Sequence, residues 1–248
     1  MCDMDGTIYL SDTPIEGAAK FASTVREKGK RLLFFTNNAS RTKSFYVDKL
    51  KRLGFGDCEV MTAGDVTISY LNTYYKGKRV YLVGTEALAA EMRMAGISLT
   101  DCPDAEVVVS SFDTELTYKK LRTACDALRN GAIYLSTHPD LNCPLKDGAM
   151  MPDSGAIAAL ITASTGKAPK YLGKPYQETA EAIERITGIS AFQTASIGDR
   201  LYTDIALAKN SGMLSLLVLS GETKPQDINQ SNAPDLVFDS IYDICQHI

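Results

Sequence analysis

The chain opens on "MCDMDGTIYL" (residues 1–10), and the reading of this stretch decides the fold. Asp3 and Asp5 stand one residue apart at the end of an expected first strand. Residues i and i+2 of a strand share a face, so the two carboxylates are expected to project together beyond its end. Two nearby carboxylates repel, and each holds its proton more tightly than it would alone. The pair therefore calls for a positive partner, and a divalent cation such as Mg²⁺, which takes hard oxygen ligands, is one solution. Gly6 permits a sharp exit from the strand, and the Thr7 hydroxyl can bond a neighbouring carboxylate. In isolation, an acidic turn at a strand end is the simpler reading of this motif.

Outward from the acid pair, strands read as short unbroken apolar runs: 31–36, 79–84, 106–110, 132–137, 194–198, 214–219 and 236–239. Continuous runs rather than alternation predict strands covered on both faces, as in a parallel sheet. Amphipathic segments lie between them. Residues 14–29 put Ile15, Ala18, Ala22 and Val25 on one stripe and end in Gly29. Residues 44–54, 121–131 and 179–188 end in Gly54, Gly131 and Gly188. A glycine just past an amphipathic run is a helix C-terminal signal. Alternating strands and helices predict an α/β fold. Polar or small-residue stretches at 72–79 and 164–170 mark two boundaries, and the block between them is expected to be an inserted second domain.

Three further stretches fall at predicted strand ends. "TNNAS" (36–40) brings Thr36, Asn37 and Asn38, with Ser40 placed to cap the next helix. A hydroxyl and free N–H groups at a helix start suit phosphate. "YLGKPYQETAEAI" (171–183) sets Lys174 on a strand-to-helix turn, with Pro175 expected at the first helical position. "TASIGDRLYTDIALA" (194–208) follows Gly198 with Asp199, and puts Asp204 in the first turn of a helix. Alone, each is an ordinary turn, cap or solvated lysine. In an open parallel sheet, however, ligands bind at the carboxyl ends of the strands, and all four stretches obey that rule.

Bulk properties narrow the function classes. The 248 residues carry a net charge of −4 and no basic tract, which disfavours nucleic acid or an anionic membrane as partner. No apolar run reaches the length of a membrane span. The six cysteines are scattered without a CxxC pair, and His138 and His247 are the chain's histidines, which disfavours a zinc site or a disulfide framework. Reduced thiols and a cytoplasmic location are expected. Walker A, GxSxG and GxGxxG motifs are absent from the sequence.

In this order, DxDGT, a strand-ending Thr, a GKP lysine and a GD…D acid pair resemble the haloacid dehalogenase (HAD) superfamily, along nearly the whole chain. "TNNAS", "HPD" (138–140), "LGKP" (172–175) and "GDRLYTDI" (198–205) are most similar to its subfamily IIA, the NagD-like and 4-nitrophenylphosphatase-like branch. The resemblance implies a Rossmann-like parallel-sheet core, 1–76 and 170–248, with an inserted α/β cap of the C2a type at 77–169, after the third core strand. It implies a Mg²⁺-dependent phosphomonoesterase acting on a small phosphorylated metabolite. Asp3 would be the nucleophile that becomes an aspartyl phosphate, and Asp5 the acid and then the base. Mg²⁺ would be held by the Asp3 carboxylate, the Asp5 backbone carbonyl and Asp199, with Asp204 orienting bound waters. Thr36, the Asn37 backbone and Lys174 would grip the phosphoryl group, with Asn38 beside them.

Two cap loops of the branch correspond to residues 111–118 and 136–142, which makes Asp113 and Asp140 candidates for substrate contact and surface turns the plain alternative. His138 stands where the branch commonly has Asn. Arg41 and Arg200 lie just beyond two of the phosphate-side motifs, which makes them candidates for substrate contact, with solvated arginines the plainer reading. Relatives carry a full apolar strand before the first acid, whereas Met1 and Cys2 alone precede Asp3 here: either upstream residues are missing or the strand is unusually short. The branch often pairs as homodimers through the cap. A phosphotransferase or mutase would share every core residue, and a catalytically silent binding protein should have lost one of Asp3, Asp5, Lys174 or Asp199; all four are present.

Overall fold

The computed structural model describes residues 1–144 and 149–247. The chain divides into two compact units, one of Met1–Thr36, Lys43–Met61 and Lys174–Ile248, the other of Asn37–Thr42 and Thr62–Gly173.

The first unit carries a six-stranded sheet in the order Leu236–Phe238, Leu214–Val218, Ala195–Gly198, Cys2–Asp3, Leu33–Thr36, Glu59–Thr62. The strand Cys2–Asp3 runs parallel to both neighbours, with Cys2 opposite Ile197 on one side and Phe34 on the other. Its central place gives it a strand on either side, and Cys2 and Met4 are buried. Cys2, Met4, Phe21, Ala22, Phe34, Leu50 and Val218 are among the buried residues of the surrounding core. The helix Ala18–Glu27 contributes Ala18, Phe21, Ala22 and Val25, so the expected stripe holds with Phe21 in it. Gly29, Gly54, Gly131 and Gly188 all have φ between 68° and 100°, which is the left-handed helix ending their positions predict.

The first strand is two residues long, whereas the neighbouring strands run to four. Met1 N donates to Ala195 O at 2.8 Å, and Ile197 N–H donates back to Met1 O at 3.0 Å. Beyond Met1 lies an apolar cavity of about 570 Å³, lined by Leu33, Ile197, Leu216, Val25 and Ile183 among others.

The second unit has its own parallel sheet, ordered Lys170–Tyr171, Ile133–Ser136, Val107–Ser110, Arg79–Val83, Ser98–Leu99. By compactness it takes in Thr62–Gly173 with Asn37–Thr42, so the helix Ala63–Tyr74 falls in it. The helix Ala63–Tyr74 packs closely within this unit. Its Gly64 lies so close to Leu88, on the helix Glu86–Met94, that a methyl there would stand 2.8 Å from Leu88 Cδ1. The polar stretch at 72–79 spans the end of this helix, a short turn and the first residue of the strand Arg79–Val83. Among the described residues, no helix is long and apolar enough to cross a membrane.

Candidate active site

Asp3 ends the strand Cys2–Asp3, Thr36 ends Leu33–Thr36, and Asp199 follows the strand Ala195–Gly198. The site therefore grows from strand ends at the centre of the first unit's sheet, where open α/β sheets place their ligands. Lys174 Nζ donates to Asp3 Oδ1 at 2.5 Å and to Asp204 Oδ1 at 2.7 Å. Its side chain is 2% exposed and lies over the Phe35 ring, 5.2 Å from the centroid. Lys174 is thus a buried cation, not the solvated lysine that its turn alone suggests. Pro175 is joined to it by a cis bond, and the helix begins at Gln177, two residues later than expected.

Asp3, Asp199 and Asp204 each bring a carboxylate oxygen within 4.8 Å of the others. Asp204 is fully committed within the protein. Oδ1 takes Lys174, while Oδ2 accepts from Thr203 Oγ1 at 3.2 Å and from the Arg200 N–H at 3.4 Å. It sits in a π-helical turn, Leu201–Ile205, rather than the first turn of a regular helix, which starts at Ala206. Asp199 Oδ2 accepts from the Glu222 N–H at 2.8 Å, whereas Asp199 Oδ1 is buried with no hydrogen-bond partner among the described residues. Three glycines permit this crowding. A side chain at Gly6 or Gly221 would overlap Asp199 Oδ2, and one at Gly198 would overlap the Asp204 carboxyl.

Electrostatics follow from three acids and one lysine in a dry site. Burial raises the Asp3 carboxyl to about 8, reinforced by Asp204 and Asp199 and opposed by Lys174. Burial likewise raises Asp199 to about 6, with Asp204 adding to it and the Glu222 N–H opposing. For Lys174, burial pulls the pKa down, but Asp204 and Asp3 outweigh it and raise it. A site that still pushes two carboxyls up despite a buried ammonium lacks positive charge. The unpartnered Asp199 Oδ1, in a group of three acids with carboxylate oxygens within 4.8 Å of one another, fits a hard divalent cation.

Asp5 is placed differently. The N–H groups of Thr7, Ile8 and Tyr9 all point to Met4 O, which curls the chain off the strand after Asp3. The shared face expected of residues 3 and 5 is lost, and the Asp5 carboxylate stands outside the cluster of three acids. It is exposed, yet the protein around its carboxyl raises its pKa, against Lys49, Arg200 and the Ser11 N–H, which lower it. Lys49 is held over the Tyr9 ring, 3.9 Å from the centroid, with 14% of its side chain exposed. The Thr7 hydroxyl reaches no carboxylate: it is buried without a partner among the described residues. Arg200 is not solvated either. It is 17% exposed, with Nε 2.9 Å from Glu222 Oε2.

The remaining predicted residues lie in the second unit. Ser40 caps no helix: its N–H and hydroxyl both donate to Asn38 Oδ1, at 2.9 and 2.7 Å. Asn37 Nδ2 donates to Asp140 Oδ2 at 3.1 Å. Asp113 is neither a surface turn nor open to a ligand. Its buried carboxylate takes Lys120 Nζ at 2.9 Å on one oxygen and the Glu115 N–H at 2.9 Å on the other. A second group of possible ligands, His138, Asp140 and Asp153, also comes together. Both His138 ring nitrogens are engaged there, Nε2 by Asp153 Oδ1 and Nδ1 by Thr137 Oγ1, each at 2.9 Å. Glu222, Gly221 and Asp153 escaped the sequence reading. Gly221 had a signal in its place beside the acidic strand ends, but the backbone contact from Glu222 has none.

Residues 1–98 match the haloacid dehalogenase-like hydrolase family and residues 171–244 a HAD-hydrolase-like family. The chain is 32% identical over 236 residues to an acid sugar phosphatase of Staphylococcus aureus, covering 94% of this chain and 91% of the relative. The crystal structure of 4-nitrophenylphosphatase from Thermotoga maritima superposes with a TM-score of 0.93 at 40% identity, covering 99% of this chain and 95% of that one. A glycerol phosphate phosphatase of Mycobacterium tuberculosis in complex with magnesium superposes at 0.89 and 30% identity, covering 97% and 74% of the two chains. The chain therefore belongs to the haloacid dehalogenase-like hydrolases, in the branch of the NagD-like and 4-nitrophenyl phosphatases.

Proposed function

We propose that this chain is a Mg²⁺-dependent phosphatase that removes the phosphoryl group from a small phosphorylated metabolite, with Asp3 as nucleophile. The observation that carries the reading is the buried Lys174 joined to Asp3 and Asp204 beside the unpartnered Asp199 Oδ1. Relatives named for sugar phosphates, glycerol phosphate and 4-nitrophenyl phosphate support the substrate class.

Asp3 attacks phosphorus, the bond to the leaving oxygen breaks, and an aspartyl phosphate forms. Lys174 holds Asp3 in place and offsets charge that builds on the phosphoryl oxygens, with the Thr36 hydroxyl at the neighbouring strand end. Asp204 fixes Lys174 from its other side. Asp5, whose carboxyl pKa is raised by the burial around it, gives its proton to the leaving oxygen. It then takes a proton from the water that attacks phosphorus, which frees phosphate and restores Asp3. The carboxylates of Asp3 and Asp199, with the Asp5 backbone carbonyl, would hold Mg²⁺, while Asp204, its oxygens taken by Lys174, Thr203 and Arg200, braces the site rather than orienting waters. When bound, the cation supplies the missing positive charge and keeps Asp3 ionised.

The test is phosphate release from a panel of phosphorylated metabolites and 4-nitrophenyl phosphate, with Mg²⁺ and with excess chelator. Mg²⁺-dependent release from at least one ester supports the reading; activity indifferent to chelator contradicts it.

A further inference from the structure

In the second unit, the strand Ile133–Ser136 runs into the turn Thr137–Asp140, and this turn touches two remote segments at once. The Gly173 N–H donates to Thr137 O at 2.7 Å, and Asn37 Nδ2 donates to Asp140 Oδ2 at 3.1 Å. Gly173 is packed so tightly that a methyl on it would stand 2.6 Å from Thr137 O, 2.8 Å from Asn37 Oδ1 and 2.9 Å from His138 Cβ. Asn37 is peptide-bonded to Thr36, and Gly173 to Lys174. The turn therefore holds the residues next to both groups assigned to the phosphoryl grip.

The turn is itself braced. His138 is fully buried between Thr137 Oγ1 and Asp153 Oδ1, and the Gly155 N–H donates to Asp140 O at 2.8 Å. Asp140 Oδ1 is buried and meets no donor among the described residues. The other oxygen is spent on Asn37.

We propose that Asp140 is a positioning residue: through Asn37, and with Thr137 on Gly173, the turn 137–140 clasps the two segments that carry Thr36 and Lys174. The proposal rests on the phosphatase reading above. It removes Asp140 from the substrate contacts expected of it. The chemistry is a matter of alignment, and a displacement of about 1 Å at the phosphoryl grip is enough for a loss on the order of 100-fold.

The test is steady-state kinetics with Mg²⁺ on 4-nitrophenyl phosphate and on a phosphate ester of a bulkier alcohol. Asp140→Ala is expected to lower kcat by about 10- to 100-fold, by the same factor on both esters, with KM within about 3-fold. Asp140→Asn keeps an oxygen that can accept from Asn37 Nδ2 and should recover most of kcat. The double variant with Asn37→Ala should be no slower than the slower single variant, because the two side chains act as one unit. A rise in KM that differs between the esters, an unchanged kcat, or multiplying losses in the double variant would each overturn the proposal. Should Asp140→Ala fail to fold in a thermal melt, Asn37→Ala with and without Asp140→Asn decides: the second change should then have no further effect. An active wild type with unmoved variants defeats the clasp alone, whereas a wild type inactive on every ester defeats the reading of the site and the clasp with it.

Discussion

Lys174 and Asp3 lie 171 residues apart in the chain, yet Nζ and Oδ1 meet at 2.5 Å in a buried ion pair. Asp204 shares the same ammonium at 2.7 Å. Removing the cation leaves three carboxylates facing one another in a dry site. Lys174→Met is therefore expected to destabilise the metal-free protein by about 3–5 kcal/mol. Chemical denaturation checks this, and the same variant should lose at least about 100-fold in kcat. A variant as stable and as fast as the wild type would show that the pair is incidental.

Asp5→Asn removes the proton donor but not the metal or phosphoryl contacts. Turnover should fall far more than substrate binding weakens. The loss should also depend on the leaving group, since an aryl oxide departs without much help from an acid and an alkoxide does not. Comparing 4-nitrophenyl phosphate with an alkyl phosphate measures this: a roughly 10-fold greater loss on the alkyl ester is expected. Equal losses on both esters would argue against the acid role.

Gly221→Ala puts a methyl into Asp199 Oδ2 without requiring an unusual backbone angle, so it tests space alone. Asp199 must shift, and its free oxygen with it. The Mg²⁺ concentration for half-maximal activity should rise by about 10-fold, while saturating Mg²⁺ restores most of kcat. Titration with Mg²⁺ separates this from simple loss of the fold.

The raised carboxyls set a pH dependence whose sign can be worked out. Asp199 titrates near about 6 and Asp3 near about 8, above the 3.8 of a free side chain. In the metal-free protein these groups favour the folded state below pH 3.8, and that contribution fades as pH rises through 6 and then 8. Cation binding needs the ionised forms, so Mg²⁺ competes with protons there. The rise in Tm on adding Mg²⁺ should be larger at pH 8 than at pH 5. An equal rise at both would place the cation elsewhere.

Much of this site was legible because its residues sit where periodicity changes. Thr36 and Asp199 each close an apolar run and precede a helical one, which predicts strand ends in a parallel sheet without any contact being known, whereas Asp3 has two residues before it and Lys174 follows the second unit's edge strand Lys170–Tyr171, so motif order rather than periodicity points to them. Side-chain direction was not legible. The face shared by Asp3 and Asp5 assumes that the strand continues, and three N–H groups on Met4 O end it first. Asp113 and Asp140 looked alike as loop acids, but one is neutralised by Lys120, seven residues on, and the other is held by Asn37, 103 residues away. The close approach of Gly64 to Leu88, between two helices of the second unit, has no signal in the sequence.

The most direct test of the account is to find where the phosphoryl group rests during turnover. The protein is mixed with Mg²⁺ and 4-nitrophenyl phosphate, quenched in acid and reduced with borohydride, which converts an aspartyl phosphate to homoserine. Peptide mass mapping should place homoserine at position 3, and the product should be absent from Asp3→Asn. Conversion at any other carboxylate, or a phosphorylated Ser, Cys or His in an active sample, would contradict the role given to Asp3.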